Sequence, residues 1–87
     1  MKSSVRFQVI HKGIVLDFTK EPEGGYTVTV PSLPGCISYG KSFEEAIGMI
    51  EDSIKGYVAV AKEEGLFIPE EIEQQLKRGT GSLRLAV

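Results

Sequence analysis

Along the first forty residues apolar and polar positions alternate with a period of two; from there the period lengthens to three and four, so short strands precede a long helix. Val5, Phe7 and Val9 alternate with Arg6, Gln8 and Ile10, the pattern of a weak first strand or extended arm that His11, Lys12 and Gly13 interrupt. Ile14, Leu16 and Phe18 alternate with Val15, Asp17 and Thr19, which predicts a strand over 14–20. Tyr26, Val28 and Val30 against Thr27 and Thr29 predict its antiparallel partner, joined through a turn over 21–25 that contains Pro22, Gly24 and Gly25. Pro31 stops that strand. Leu33, Pro34, Gly35 and Cys36 have the order of a type II turn, with proline fixing φ at the second position and glycine accepting positive φ at the third, and 36–40 returns as a short strand.

Ser42 followed three residues later by Glu45 is a capping box, so the helix begins at Phe43. Phe43, Ala46, Ile47, Ile50, Ile54, Tyr57, Val58 and Ala61 then form one apolar stripe that runs to Glu64 and covers a sheet face. Gly48 and Gly56 interrupt it at a cost of about 1 kcal/mol each relative to alanine. Met49, Ser53, Gly56 and Val60 form a flank of small or adaptable residues beside the stripe, a candidate contact between two copies of the chain. Gly65 suits the position after the helix, with Leu66 packing back on its last turn, and Pro69 opens a second, short helix closed by Lys77, Arg78 and Gly79. Leu83, Leu85 and Val87 alternate with Ser82, Arg84 and Ala86, predicting a final strand whose free edge is a second candidate oligomer contact. The expected fold is therefore a single α+β domain over 1–87: an antiparallel sheet with one long helix packed on one face. Ile14, Leu16, Phe18, Tyr26, Val28, Val30, Ile47, Ile50, Ile54, Val58 and Ala61 are its expected core.

Length and charge sharpen this picture. At 87 residues the chain is near the size at which one core is marginal and association is a common remedy, so a homodimer, or a tetramer made by doubling it, is expected. The net charge of −2 hides a segregation: residues 44–73 carry nine acids against Lys55 and Lys62, whereas 74–87 carries Lys77, Arg78, Arg84 and no acid. An acidic helical surface disfavours direct nucleic-acid binding, which needs cations there, and favours a basic partner. No apolar run approaches the roughly 20 residues of a membrane helix, and a lone cysteine excludes an intrachain disulfide; a cytoplasmic protein is expected.

Candidate chemistry is sparse. His11 falls in a predicted loop, Cys36 follows a proline-glycine turn as a small hydrophobe would, and Asp17 stands alone in a strand. No phosphate-cradling loop or nucleophile elbow occurs, so no catalytic residue, metal ligand or cofactor is expected.

The stretch from 24 to 46 nevertheless carries a distinctive signature. Gly25, Tyr26, Val28, Val30, Pro31, Leu33, Pro34, Gly35, Cys36, Gly40, Glu44, Glu45 and Ala46 hold a fixed spacing across three elements, and this run closely resembles that of HicB-type antitoxins. The resemblance implies a reduced RNase H-like fold with a β-β-β-α core and a further strand, lacking catalytic carboxylates. It also implies binding of a HicA-type toxin, a small basic ribonuclease that cleaves mRNA, by occluding its active site. The motif residues themselves read as scaffold. Only 18 residues follow Pro69, too few for the helix-turn-helix that many such proteins add, so direct repression of an operon is not expected. A stand-alone homo-oligomeric binding module on the same scaffold, for a small ligand or another protein, is the alternative.

Overall fold

The computed structural model describes residues 4–74. Four strands, β1 (Val5–His11), β2 (Ile14–Lys20), β3 (Tyr26–Thr29) and β4 (Ile37–Gly40), form one sheet in the order β1-β2-β3-β4, and α1 (Phe43–Glu64) crosses one face. All neighbours are antiparallel. The fold is the α+β arrangement the pattern implies. The predicted final strand, with Leu83 and Leu85, lies outside the described residues.

The first element differs from expectation. β1 is a full seven-residue strand paired with β2 along its entire length, from Val5 opposite Lys20 to His11 opposite Ile14. Lys12 and Gly13 both take positive φ, 52° and 82°, the backbone of a two-residue hairpin turn whose twist matches the strands. They reverse the chain rather than ending the strand early, and His11 belongs to the ladder.

Register decides which residues face the helix, because residues directly opposite each other share a face. Phe7, Phe18, Val28 and Ser38 stand in one row across the sheet. With Val9, Leu16, Ile14, Tyr26 and Gly40 they make the helix-facing side. From the helix come Ala46, Ile50, Ile54, Val58 and Ala61, all buried. Tyr26 and Ile47 sit at the margin of this core, partly exposed, while Leu33, Cys36 and Ile72 join it from the connecting segments. At one end Phe7, Phe18, Tyr26 and Phe43 pack together with ring centroids 4.8 to 6.4 Å apart, so edge-to-face and stacked contacts supplement the buried area.

Local chemistry sets the helix ends. Ser42 accepts the Glu45 amide at 3.1 Å, and the Glu45 carboxylate reaches back past the cap to accept the Lys41 amide instead of that of Ser42. At the other end Gly65, in the left-handed region at φ 69°, donates to Lys62 while Leu66 donates to Ala61, a Schellman closure. The Leu66 side chain is 56% exposed, so it does not bury itself on the last turn as expected; the backbone closure holds without it. Beyond Pro69 the chain is helical again from 70 to 74, where Ile72 inserts fully into the core.

Candidate functional site

The turn signature converges on the join between β3, β4 and the start of α1. Cys36 donates its amide to the Leu33 carbonyl at 3.0 Å with Gly35 at φ 86°, the type II turn, and Leu33 donates to Val30 in a preceding turn. Pro31 and Pro34 lie outside, exposed, while Leu33 points inward and is 1% exposed. The two other motif glycines permit close approach. A Cβ on Gly40 would stand 2.6 Å from the Ala46 Cα and 2.8 Å from the Glu45 carbonyl carbon, so only glycine lets β4 run against the first turn of α1. A Cβ on Gly25 would overlap the ring of Tyr39, whose hydroxyl donates to the Gly24 carbonyl.

Along the rest of its length β4 is held to α1 by hydroxyls. Ser38 donates to the Met49 carbonyl and shares a short hydrogen bond with Ser53. Past Ser38, towards Cys36, the two elements separate and leave an open groove of about 500 Å³. Gly35, Cys36 and Ile37 line its strand side, Ser53, Gly56 and Val60 its helix side, and Leu66 one end. Three of the four residues singled out on the helix flank thus face the groove; Met49 is 48% exposed one turn earlier. Burial pushes the Cys36 thiol above its ordinary pKa, which keeps it protonated and weakly nucleophilic.

His11 is engaged elsewhere. Its Nε2 lies 2.7 Å from Glu51 Oε2 on α1, and the Lys12 ammonium stands 3.3 Å from the same oxygen. The hydrogen bond with His11 is the largest influence holding the Glu51 carboxyl below its usual range; burial opposes it, and Lys12 adds to the lowering. Neither His11 nor any acid lines the groove beside Cys36, so the three candidate groups do not share a pocket. Asp17 lies on the outer sheet face, accepting a hydrogen bond from Gln8. No group of three or more His, Cys, Asp or Glu among the described residues could hold a metal ion. None of the described helices is long and apolar enough to cross a membrane. Sequence pattern alone missed Ser38, Glu51 and Tyr39, since none of them breaks the period of its element.

The described residues combine an open groove, an edge strand and an acidic helix. Residues 13–79 match the family model described as "HicB_like antitoxin of bacterial toxin-antitoxin system". The chain belongs to the HicB-like antitoxin family. It is 36% identical over 58 residues to a UPF0150 protein of the archaeon Thermoplasma acidophilum, covering 67% of this chain and 84% of that one. A UPF0150 protein of Archaeoglobus fulgidus is 43% identical over 51 residues (56% of this chain, 74% of the relative), and one of Synechocystis is 38% identical over 64 residues (74% and 78%). No solved structure matches the chain significantly.

Proposed function

We propose that this chain is an antitoxin that binds a HicA-type toxin and silences its mRNA cleavage by occlusion, contributing no chemistry of its own. Membership of the HicB-like antitoxin family over residues 13–79 carries the reading. The acidic composition of 44–73 supports it, because a basic ribonuclease is drawn to such a surface. In this reading the chain acts in the cytoplasm as a single domain and needs no cofactor. The signature residues Gly25, Tyr26, Pro31, Leu33, Pro34, Gly35, Cys36, Gly40, Glu45 and Ala46 serve as scaffold. The meander and α1 correspond to a reduced RNase H-like core.

Co-expression with a HicA-type toxin encoded beside the gene is the test. Growth should be restored, and the two chains should co-purify in a complex that weakens as salt screens the charges. Unrelieved toxicity with no complex would refute the assignment. A second reading, a self-associating module, is favoured by one observation: Ile10, Val15, Ile37 and Tyr39 on the outer sheet face are 40 to 74% exposed with no described element over them. Sedimentation of the chain alone decides it, a mass near 9.5 kDa excluding self-association.

A further inference from the structure

We infer that the groove between β4 and α1 is the docking site for a basic protein partner, which adds an extended segment to the free edge of β4 and seats an apolar side chain over Gly56. The inference rests on the antitoxin reading and says where on this chain the toxin sits.

Three independent features converge there. β4 is the last strand of the sheet, so one row of its backbone groups has no strand partner among the described residues, and a short extended segment can pair with it. Beside that edge the groove is lined by Val60 and Leu66, both more than half exposed, around a glycine. A Cβ at Gly56 would meet nothing within 4 Å, so the space above it is open to a side chain from outside.

Charge selects the occupant. On a helix, positions four apart lie on one side, which places Asp52 one turn before Gly56 and Glu63 two turns after it along the groove's outer lip; both are exposed. The two lysines of α1, Lys55 and Lys62, fall on the other side, where Lys62 stands 3.8 Å from Glu73. Lys41 is at the far end of α1, about 20 Å along the axis from Gly56 at 1.5 Å per residue. An apolar groove with an acidic lip matches a segment in which Lys or Arg flanks an apolar residue. A second copy docking across a twofold axis would instead set the acidic lip of one copy against that of the other, and a nucleic acid would meet the same repulsion.

The glycine makes the test clean. Gly56→Leu fills the groove from a position with open space, and it replaces a poor helix former by a good one, so the melting temperature should hold or rise. Gly48→Leu is the control: Gly48 is also exposed and unobstructed but does not line the groove. With a HicA-type toxin inactivated at its catalytic histidine as the probe, calorimetric titration should show at least tenfold weaker binding for Gly56→Leu and wild-type binding for Gly48→Leu. The Asp52→Lys, Glu63→Lys double variant should also bind more weakly and lose much of its salt dependence. Wild-type affinity in Gly56→Leu would overturn the placement and leave the antitoxin reading standing. No complex with the wild-type chain would overturn both. A change in the chain's own sedimenting mass, with toxin affinity unaltered, would reassign the groove to a second copy and overturn the placement.

Discussion

On one flank of α1, Glu51 reaches across to His11 and Lys12 of the β1–β2 hairpin; on the other, Ser53 reaches β4 only at Ser38, and beyond it Gly56 and Val60 leave a groove. Both flanks border the same buried stripe of Ala46, Ile50, Ile54, Val58 and Ala61. Side-chain reach makes the difference. A long carboxylate meeting an imidazole and a lysine ammonium spans the gap between helix and sheet edge, whereas glycine cannot, so hydroxyl pairing at Ser38 is followed by open space. The lesson is that a helix can be tightly seated by its central stripe while one margin is closed by a polar cluster and the other is left open.

Breaking the core beneath that stripe should cost most, because both flanks depend on it. Phe18 is 1% exposed and touches Phe7, Tyr26 and Phe43, so Phe18→Ala should lose about 3 to 5 kcal/mol. In thermal unfolding that is a drop of more than about 10 °C for a domain of this size. An unchanged melting temperature would remove the aromatic cluster from the account.

A smaller effect should separate the β4 side from the rest. Gly40→Ala drives a methyl group into the Glu45–Ala46 backbone and must push β4 off the first turn of α1, costing about 1 to 3 kcal/mol. Hydrogen exchange should quicken in β4 and the start of α1 while β1 and β2 keep their protection. Uniform loss of protection across the sheet would mean that the close approach at Gly40 is not a local constraint.

The smallest effect belongs to the charged flank. The folded pKa of Glu51 is depressed, so its contribution to stability is complete above the ordinary glutamate range and is lost as pH falls through the lowered folded value. The carboxylate is 37% exposed and solvent screens it, so the contribution should stay under about 1 kcal/mol. Glu51→Gln should therefore lower the melting temperature slightly at neutral pH and match the wild-type chain under acid conditions. A constant difference between the two proteins across that range would show that the pairing with His11 and Lys12 adds nothing.

Much of the architecture is legible along the chain because it rests on interactions within four residues. The alternations at Ile14 to Phe18 and Tyr26 to Val28, the Pro34-Gly35 turn, Ser42 as cap and Gly65 as stop are each set by local sterics and backbone hydrogen bonding, and the elements stand where those signals put them. The stretch from Val5 to Ile10, which reads as a weak first strand or an extended arm, is part of a full strand through its pairing with β2 and the stacking of Phe7 on Phe18, neither of which is a local property.

What tertiary structure alone decided are the pairings between residues far apart in the chain. His11 meets Glu51 across 40 positions, Ser38 meets Ser53 across 15, and Gly40 abuts the backbone of Ala46 because the turn after β4 folds the helix back onto its strand. None of these contacts leaves a period in the sequence, since a polar residue on the edge of a stripe looks the same whether it faces solvent, a cation or a groove. Strand register and the path of α1 over the sheet choose among those outcomes. They make one flank of the helix a closed seam and the other an open surface.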